Sequence, residues 1–99
     1  MPGEFDITEI DDVIHGRLRL GIMAFLTGSG MADFNTLKAR LAASDGNLSV
    51  QLRKLEEAGY VEIAKSFAGR KPLTQVSLTD KGRAAFVAYL DAIEKLLPK

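Results

Sequence analysis

The chain has 99 residues, 46% of them hydrophobic, and its 13 basic and 13 acidic side chains give no net charge at pH 7. This length predicts a single domain over residues 1–99 and leaves little room for a second core. The lack of cysteine excludes disulfides and thiolate metal ligands. Because the longest nearly unbroken apolar run, from Leu20 to Leu26, is too short to span a bilayer, we expect a soluble, cytoplasmic protein with no membrane partner.

The charges are unevenly distributed along the sequence. Residues 1–34 carry two arginines against six carboxylates, a net charge of −4, whereas residues 35–83 carry nine basic side chains against five acids, a net charge of +4. A segregation of this kind suits a molecule that turns one side towards a polyanion and the other side away from it. An ordinary surface with uneven charge is the alternative interpretation.

The first predicted helix covers about residues 10–27. Asp11 and Asp12 lie in its first turn, where the helix dipole favours carboxylates, and the glycines that follow Thr27 supply a C-cap and a loop. The second half of this helix is apolar on most sides and therefore requires cover on two faces. One face serves the core. The other is a candidate dimer surface, which includes Leu20, Met23 and Ala24.

Two further helices are predicted at about residues 34–42 and 45–58, with a short turn between them. Asp33 is a suitable N-cap for the first of these helices. Ser44 or Asp45 can cap the second by accepting a hydrogen bond from an unpaired first-turn amide. A glycine, residue 59, then stops the chain from continuing as a helix.

The helix predicted at residues 45–58 has two distinct faces. At about 100° per residue, Leu48, Leu52 and Leu55 form one ridge, which we assign to the core. The opposite face and its flanks carry short, polar or basic side chains. They are Asn47, Ser49, Val50, Gln51, Arg53, Lys54 and Glu57.

Two amphipathic segments, residues 60–65 and 74–78, are predicted to pair as an antiparallel hairpin. The intervening residues, 66–73, exceed the usual hairpin loop of about two to five residues, and they include Arg70 and Lys71. Long loops in small domains tend to carry function, so we interpret this hairpin as a functional wing, with a solvated loop of incidental charge as the alternative. The inward-facing strand residues are Val61, Ile63, Val76 and Leu78.

The last predicted helix covers about residues 80–97, with Thr79 as its N-cap. Its apolar surface is two adjacent stripes wide, which is more than one small core needs. We interpret the excess as an interface with the first helix or with the first helix of a second copy, and packing onto the chain's own domain is the alternative. The candidate dimer residues here are Tyr89, Ile93, Leu96 and Leu97.

Four runs of the sequence resemble one protein family. The run Gly46–Val61 resembles the recognition helix and first wing strand of bacterial and archaeal winged-helix transcriptional regulators, in particular those related to the MarR and ArsR groups. Lys65–Pro72 and Leu78–Arg83 resemble the wing and the following helix start of the compact single-domain subgroup, and His15–Ile22 is similar to the first helix. The resemblance implies an α+β, mostly α fold: a winged helix-turn-helix with a two-stranded β-hairpin wing and flanking N- and C-terminal helices.

The resemblance also implies a function. Such a regulator binds double-stranded DNA sequence-specifically as a dimer, with the third helix in the major groove and the wing on the backbone or in the minor groove. The residues that we expect to contact DNA are Ser44, Asn47, Ser49, Val50, Gln51, Arg53, Lys54, Lys65, Arg70, Lys71 and, from the preceding helix, Lys38.

Other classes of function receive less support. His15 is the only histidine, and Asp11 and Asp12 are adjacent and so point in different directions on a helix, which predicts neither a metal site nor a catalytic pair. We expect no enzymatic activity and no cofactor. A docking module of the same fold that binds proteins instead of DNA is the main alternative. A small-molecule effector held between the first and last helices is compatible with the pattern.

Overall fold

The computed structural model describes residues 6–97, which form four α-helices, a short 3₁₀-helix and a three-stranded antiparallel sheet. This architecture confirms the predicted winged helix-turn-helix. Within residues 6–97, no helix combines the length and the apolar character that crossing a membrane requires. The 3₁₀-helix is Ile7–Glu9, the helices are α1 Arg17–Ser29, α2 Phe34–Arg40, α3 Asp45–Glu57 and α4 Asp80–Glu94, and the strands are β1 Met31–Asp33, β2 Val61–Ala68 and β3 Lys71–Leu78.

The first helix begins at Arg17, so its predicted start near residue 10 is wrong. The preceding residues form turns because the carboxylate of Asp11 accepts hydrogen bonds from the amides of Val13 and Ile14, at 2.8 and 3.2 Å. When an aspartate side chain accepts hydrogen bonds from the amides two and three residues later in the chain, it favours a turn over a helix. Ile14 is nevertheless fully buried, so this turn segment covers one side of the core.

Strand β1 was not predicted from the sequence. It pairs with β3 at the edge of a sheet whose order is β1-β3-β2, with Met31 opposite Ser77 and Asp33 opposite Gln75. Three residues are too few for alternation to reveal a strand. Because β1 connects α1 directly to α2, it attaches the helical part of the molecule to the wing.

The wing is a longer hairpin with a tighter turn than the sequence predicts. Strands β2 and β3 pair in continuous register from Val61 opposite Leu78 to Ala68 opposite Lys71. The predicted loop at residues 66–73 is therefore wrong, and only two residues form the turn. The first of them, Gly69, has a φ of +66°, which a two-residue hairpin turn requires and glycine adopts without steric cost.

The core lies where α1 packs against α3, α4 and β3, and where α3 packs against β2 at the base of the wing. Leu48, Leu52 and Leu55 are at most 2% exposed, which confirms the predicted ridge of α3. Burial of each leucine stabilises the fold by about 1.5–3 kcal/mol. Because this ridge is buried, the opposite face of α3 is turned to solvent.

The start of α4 is locked onto the connection between α3 and β2. Thr79 is the N-cap, as predicted, because its hydroxyl accepts a hydrogen bond from the Gly82 amide at 2.9 Å and donates one to the Gly59 carbonyl at 2.6 Å. The Tyr60 carbonyl approaches so closely that a Cβ at Gly82 would lie 2.1 Å from its oxygen. At its other end α4 stops at Glu94 rather than at residue 97.

Candidate nucleic-acid interface

The first turn of α3 is fixed by a side-chain cap. The Ser44 hydroxyl accepts a hydrogen bond from the Asn47 amide at 3.2 Å, which decides between the two predicted caps. Asp33 caps α2 in the same way, 2.6 Å from the Thr36 amide, and this hydrogen bond holds the pKa of the Asp33 carboxyl below its ordinary value. Both helices of the helix-turn-helix therefore begin at defined residues.

The outer face of α3, opposite the leucine ridge, presents most of the predicted contact residues to solvent. Gln51 is half-buried, whereas the side chain of Val50 is 51% exposed. An exposed aliphatic group among polar ones is suited to contact a thymine methyl group. The other exposed residues of this face are Asn47, Ser49, Arg53 and Lys54.

One residue of this region was not predicted. The Arg19 guanidinium, on α1, donates a hydrogen bond to Oε1 of Gln51, and Nε2 of Gln51 donates to Oδ1 of Asn47 at 3.0 Å. These three side chains line an open cavity of about 540 Å³ between α1, α2 and α3. The sequence carries no signal for the contact, because Arg19 and Gln51 are 32 residues apart and lie on different helices.

The wing carries its positive charge at and near its tip. Arg70 lies in the turn, Lys71 begins β3 and Lys65 lies on β2, and all three are exposed. Between residues 6 and 97, no acidic side chain lies within ion-pair distance of any of them. Phe67, whose position the sequence left open, is 71% exposed and lies opposite Pro72.

Lys38 is engaged by the chain itself. Its Nζ lies 2.8 Å from Oδ1 of Asp45, so the pair connects α2 with the first turn of α3. The Lys38 side chain is 42% and the Asp45 side chain 71% exposed, and solvent-accessible pairs of this kind stabilise a protein by less than about 1 kcal/mol. Lys38 thus lies beside the start of α3 rather than beside the tip of the wing.

The candidate dimer residues fall into two groups. Met23 and Tyr89 are 0% and 3% exposed and belong to the chain's own core, where the Tyr89 hydroxyl lies 2.8 Å from Nδ1 of His15. Leu20 and Ile93 are half-buried, and Ala24, Leu96 and Leu97 are exposed. The apolar surface of α4 also includes Val87 and Leu90, which are 53% and 47% exposed.

Comparison with known proteins identifies the class of this molecule. The model of the family described as winged helix DNA-binding domain matches residues 18–97, so the chain belongs to that family. This finding confirms the family predicted from the sequence.

Individual relatives agree with this assignment. The chain is 40% identical over 84 residues to an uncharacterized protein of Methanocaldococcus jannaschii, with 85% of this chain and 91% of that protein covered. The structure of a transcriptional regulator homologue from Pyrococcus horikoshii is 33% identical and has a TM-score of 0.85 over 91% of each chain. Reduced AbfR bound to DNA, a protein of Staphylococcus epidermidis, is 25% identical with a TM-score of 0.70, and the match covers 81% of this chain and 57% of AbfR.

Proposed function

We propose that this protein is a sequence-specific transcriptional regulator that binds double-stranded DNA as a homodimer, with α3 in the major groove and the wing on the backbone or in the minor groove. The observation that carries the proposal is the division of α3 into a buried leucine ridge and a polar outer face beside a basic hairpin. Membership of a DNA-binding family supports the same function.

The outer face of α3 has the chemistry of a base-reading surface. Asn47 and Gln51 carry amides that pair with base edges, and Ser49 adds a hydroxyl that serves as donor or acceptor. An α-helix fits into the major groove, and recognition helices contact bases through their N-terminal residues. These three residues lie in the N-terminal half of α3. A surface that docks proteins would more often expose several aromatic or aliphatic side chains there.

The wing supplies positive charge, but its basic side chains are not held in fixed positions as the amide side chains of α3 are. Arg70 and Lys71 project at the end of a two-stranded hairpin, and Lys65 lies further down β2. Charges of this kind bind phosphates, which position a protein on the duplex but carry no sequence information directly. Arg53 extends this basic surface onto α3, because it lines the same groove as Lys65. Lys54 lies on the other flank of α3, in a groove that it shares with Asp12 and Arg19.

A second copy of the chain would cover the exposed apolar side of α4. Val87 and Leu90 lie on the helix, and Leu96 and Leu97 just beyond it are 49% and 64% exposed. A two-fold dimer presents two copies of α3 to half-sites about ten base pairs apart.

The dimer is tested by placing a charge in the proposed interface. Leu90→Lys is expected to convert a dimer into a monomer in sedimentation equilibrium, because a charge buried without a partner is strongly unfavourable. Ala88→Lys, at an exposed residue on the other side of α4 from Leu90, is the control and should leave the mass unchanged. A monomeric wild type would exclude the dimer.

The function is tested by selecting bound duplexes from a random pool. The expected result is a palindromic consensus with half-sites about ten base pairs apart. Selected duplexes without any shared sequence would contradict sequence-specific recognition, and a consensus without symmetry would contradict the dimer.

A further inference from the structure

A continuous series of side-chain hydrogen bonds connects α1 to the outer face of α3. Arg19 donates from Nη1 to Oε1 of Gln51, and Gln51 donates from Nε2 to Oδ1 of Asn47 at 3.0 Å. The backbone amide of Asn47 separately donates to the Ser44 hydroxyl at 3.2 Å. The side-chain series therefore ends at Asn47, in the first turn of the helix that we propose reads the bases.

Arg19 is itself held in place before it reaches α3. Its Nε donates to the Val13 carbonyl at 2.5 Å, and its Nη2 donates to the Asp12 carbonyl at 3.5 Å. The guanidinium also occupies the space beside Gly16, where an added Cβ would lie 2.8 Å from Nη2 and 3.0 Å from Cζ. The turn segment and the missing side chain at residue 16 thus fix the position of the guanidinium.

The fixed guanidinium determines which way two amides point. A guanidinium only donates hydrogen bonds, so Gln51 must turn its oxygen towards Arg19 and its NH₂ group towards Asn47. Asn47 then turns its oxygen towards Gln51, which leaves its own NH₂ group free. An amide that rotates freely offers donor and acceptor interchangeably, whereas an amide in one orientation presents a single pattern.

We propose that Arg19 is a positioning residue for base recognition, which holds Gln51, and through it Asn47, in the orientation that presents the second N–H of Gln51 and the NH₂ group of Asn47 to the major groove. The proposal rests on the proposed function, since it requires that α3 reads bases. Outward N–H groups select acceptor edges, which are N7 of purines, O6 of guanine and O4 of thymine. Arg19 acts without touching the base itself.

Two substitutions distinguish the effect of the guanidinium's position from the effect of its charge. Arg19→Met removes the donors together with the charge. Gly16→Ala keeps the arginine but places a methyl group where the guanidinium lies. The backbone at residue 16 accommodates alanine, because its φ of −161° is extended and the close contact is with the flexible end of the Arg19 side chain. Arg17→Met is the matched control, since it removes an exposed charge from the same helical turn.

The first readout uses the protein without DNA. In the wild type and in Arg17→Met, NMR of the side-chain amides is expected to show Gln51 and Asn47 as ordered groups. In Arg19→Met and Gly16→Ala the same signals should show the averaging of mobile amides. Unchanged amide signals in both variants would overturn the proposal, whatever the outcome with DNA.

The second readout compares the selected duplex with one altered at the base pairs that face Asn47 and Gln51. The wild type and Arg17→Met should prefer the selected duplex by about tenfold, and Arg19→Met and Gly16→Ala by about twofold or less. An equal loss of affinity for both duplexes in Arg19→Met, with the preference retained in Gly16→Ala, would make Arg19 a phosphate contact and overturn the proposal. If the wild type bound no duplex, the proposed function would fail and base positioning with it. If the wild type prefers the selected duplex and both variants prefer it to the same degree, the positioning role of Arg19 is overturned and the proposed function stands.

Discussion

The outer face of α3 and the wing are both exposed and both directed at DNA in the proposed function, but the fold holds them differently. The α3 face lies on the back of a fully packed leucine ridge, and Asn47 and Gln51 are hydrogen-bonded within it. In the wing, every residue from 64 to 72 is exposed, so the outer hairpin is held by its backbone ladder alone.

In the proposed function, this difference assigns sequence specificity to α3 and general affinity for DNA to the wing. Discrimination between bases requires donors and acceptors in fixed positions, which α3 provides through packing and side-chain hydrogen bonds. Attraction to phosphates requires charge and reach, which an unpacked hairpin with Arg70 and Lys71 near its tip provides. The two regions should therefore respond differently to substitution.

The largest effect on stability is expected where the start of α4 contacts the connection between α3 and the wing. Gly82→Ala would place a methyl group 2.1 Å from the Tyr60 carbonyl oxygen, and only a shift of the backbone can relieve this contact. We expect the free energy of unfolding in urea to fall by about 3 kcal/mol or more.

Gly28→Ala is the control for this substitution. Nothing lies within 4 Å of the added Cβ in α1, and alanine favours a helix by up to about 1 kcal/mol. Equal stability of the two variants would show that the approach of Tyr60 to α4 does not hold the start of α4 in place.

The next effect concerns the wing. Replacing Arg70 and Lys71 together by alanine should lower the affinity for every duplex by roughly tenfold to a hundredfold at low salt and reduce the salt slope by about 2. Lys95→Ala, at a lysine paired with Glu9, is the control and should leave the slope unchanged. A changed sequence preference in the double variant would show that the wing reads bases, which contradicts the assignment of specificity to α3 and of affinity to the wing.

A smaller and more selective effect is expected on α3. Gln51→Ala should reduce discrimination at one base pair of each half-site by about tenfold, without changing the salt slope. Gln75→Ala, at a half-buried glutamine of β3, serves as the matched control. A uniform loss of affinity across sequences in Gln51→Ala, measured by competition between duplexes, would remove Gln51 from the base-reading set.

The smallest effect concerns Tyr60, which precedes the wing. Burial, together with the hydrogen bond to Asp11 and the charge of that carboxylate, raises the pKa of Tyr60 from 10.0 to about 12. Because the folded state holds the phenolic proton more tightly, this stabilisation is complete below pH 10 and is lost as the pH rises to about 12. With Tyr60 partly exposed, we expect the loss to be about 1 kcal/mol.

Tyr60→Phe isolates this contribution from the titration of other groups. The difference in free energy of unfolding between the wild type and Tyr60→Phe should shrink over this alkaline range. A difference that stays constant with pH would show that the contact with Asp11 does not anchor the base of the wing.

The parts of the fold that follow from local periodicity were predictable from the sequence. The spacing of Leu48, Leu52 and Leu55 identified the buried ridge of α3, and alternation identified the inner half of the wing, where one face is packed. Alternation fails for residues 66–68 because both faces of the hairpin are exposed there, although the ladder continues.

The remaining features depend on contacts between distant residues. Strand β1 exists through its pairing with β3, and the start of α1 is set by Asp11, whose residue type suits a helix start and a turn equally well. Arg19 is an ordinary basic residue in the sequence, and its place beside Gln51 follows only from the packing of α1 against α3.

Equilibrium binding of the selected duplex and of a scrambled duplex, at salt concentrations from about 50 to 200 mM, tests the proposed DNA-binding surface most directly. We expect the logarithm of each affinity to fall linearly with the logarithm of the salt concentration, and the selected duplex to bind more tightly throughout. Negligible affinity at the lowest salt concentration, or an affinity that does not change with salt, would contradict the proposed function.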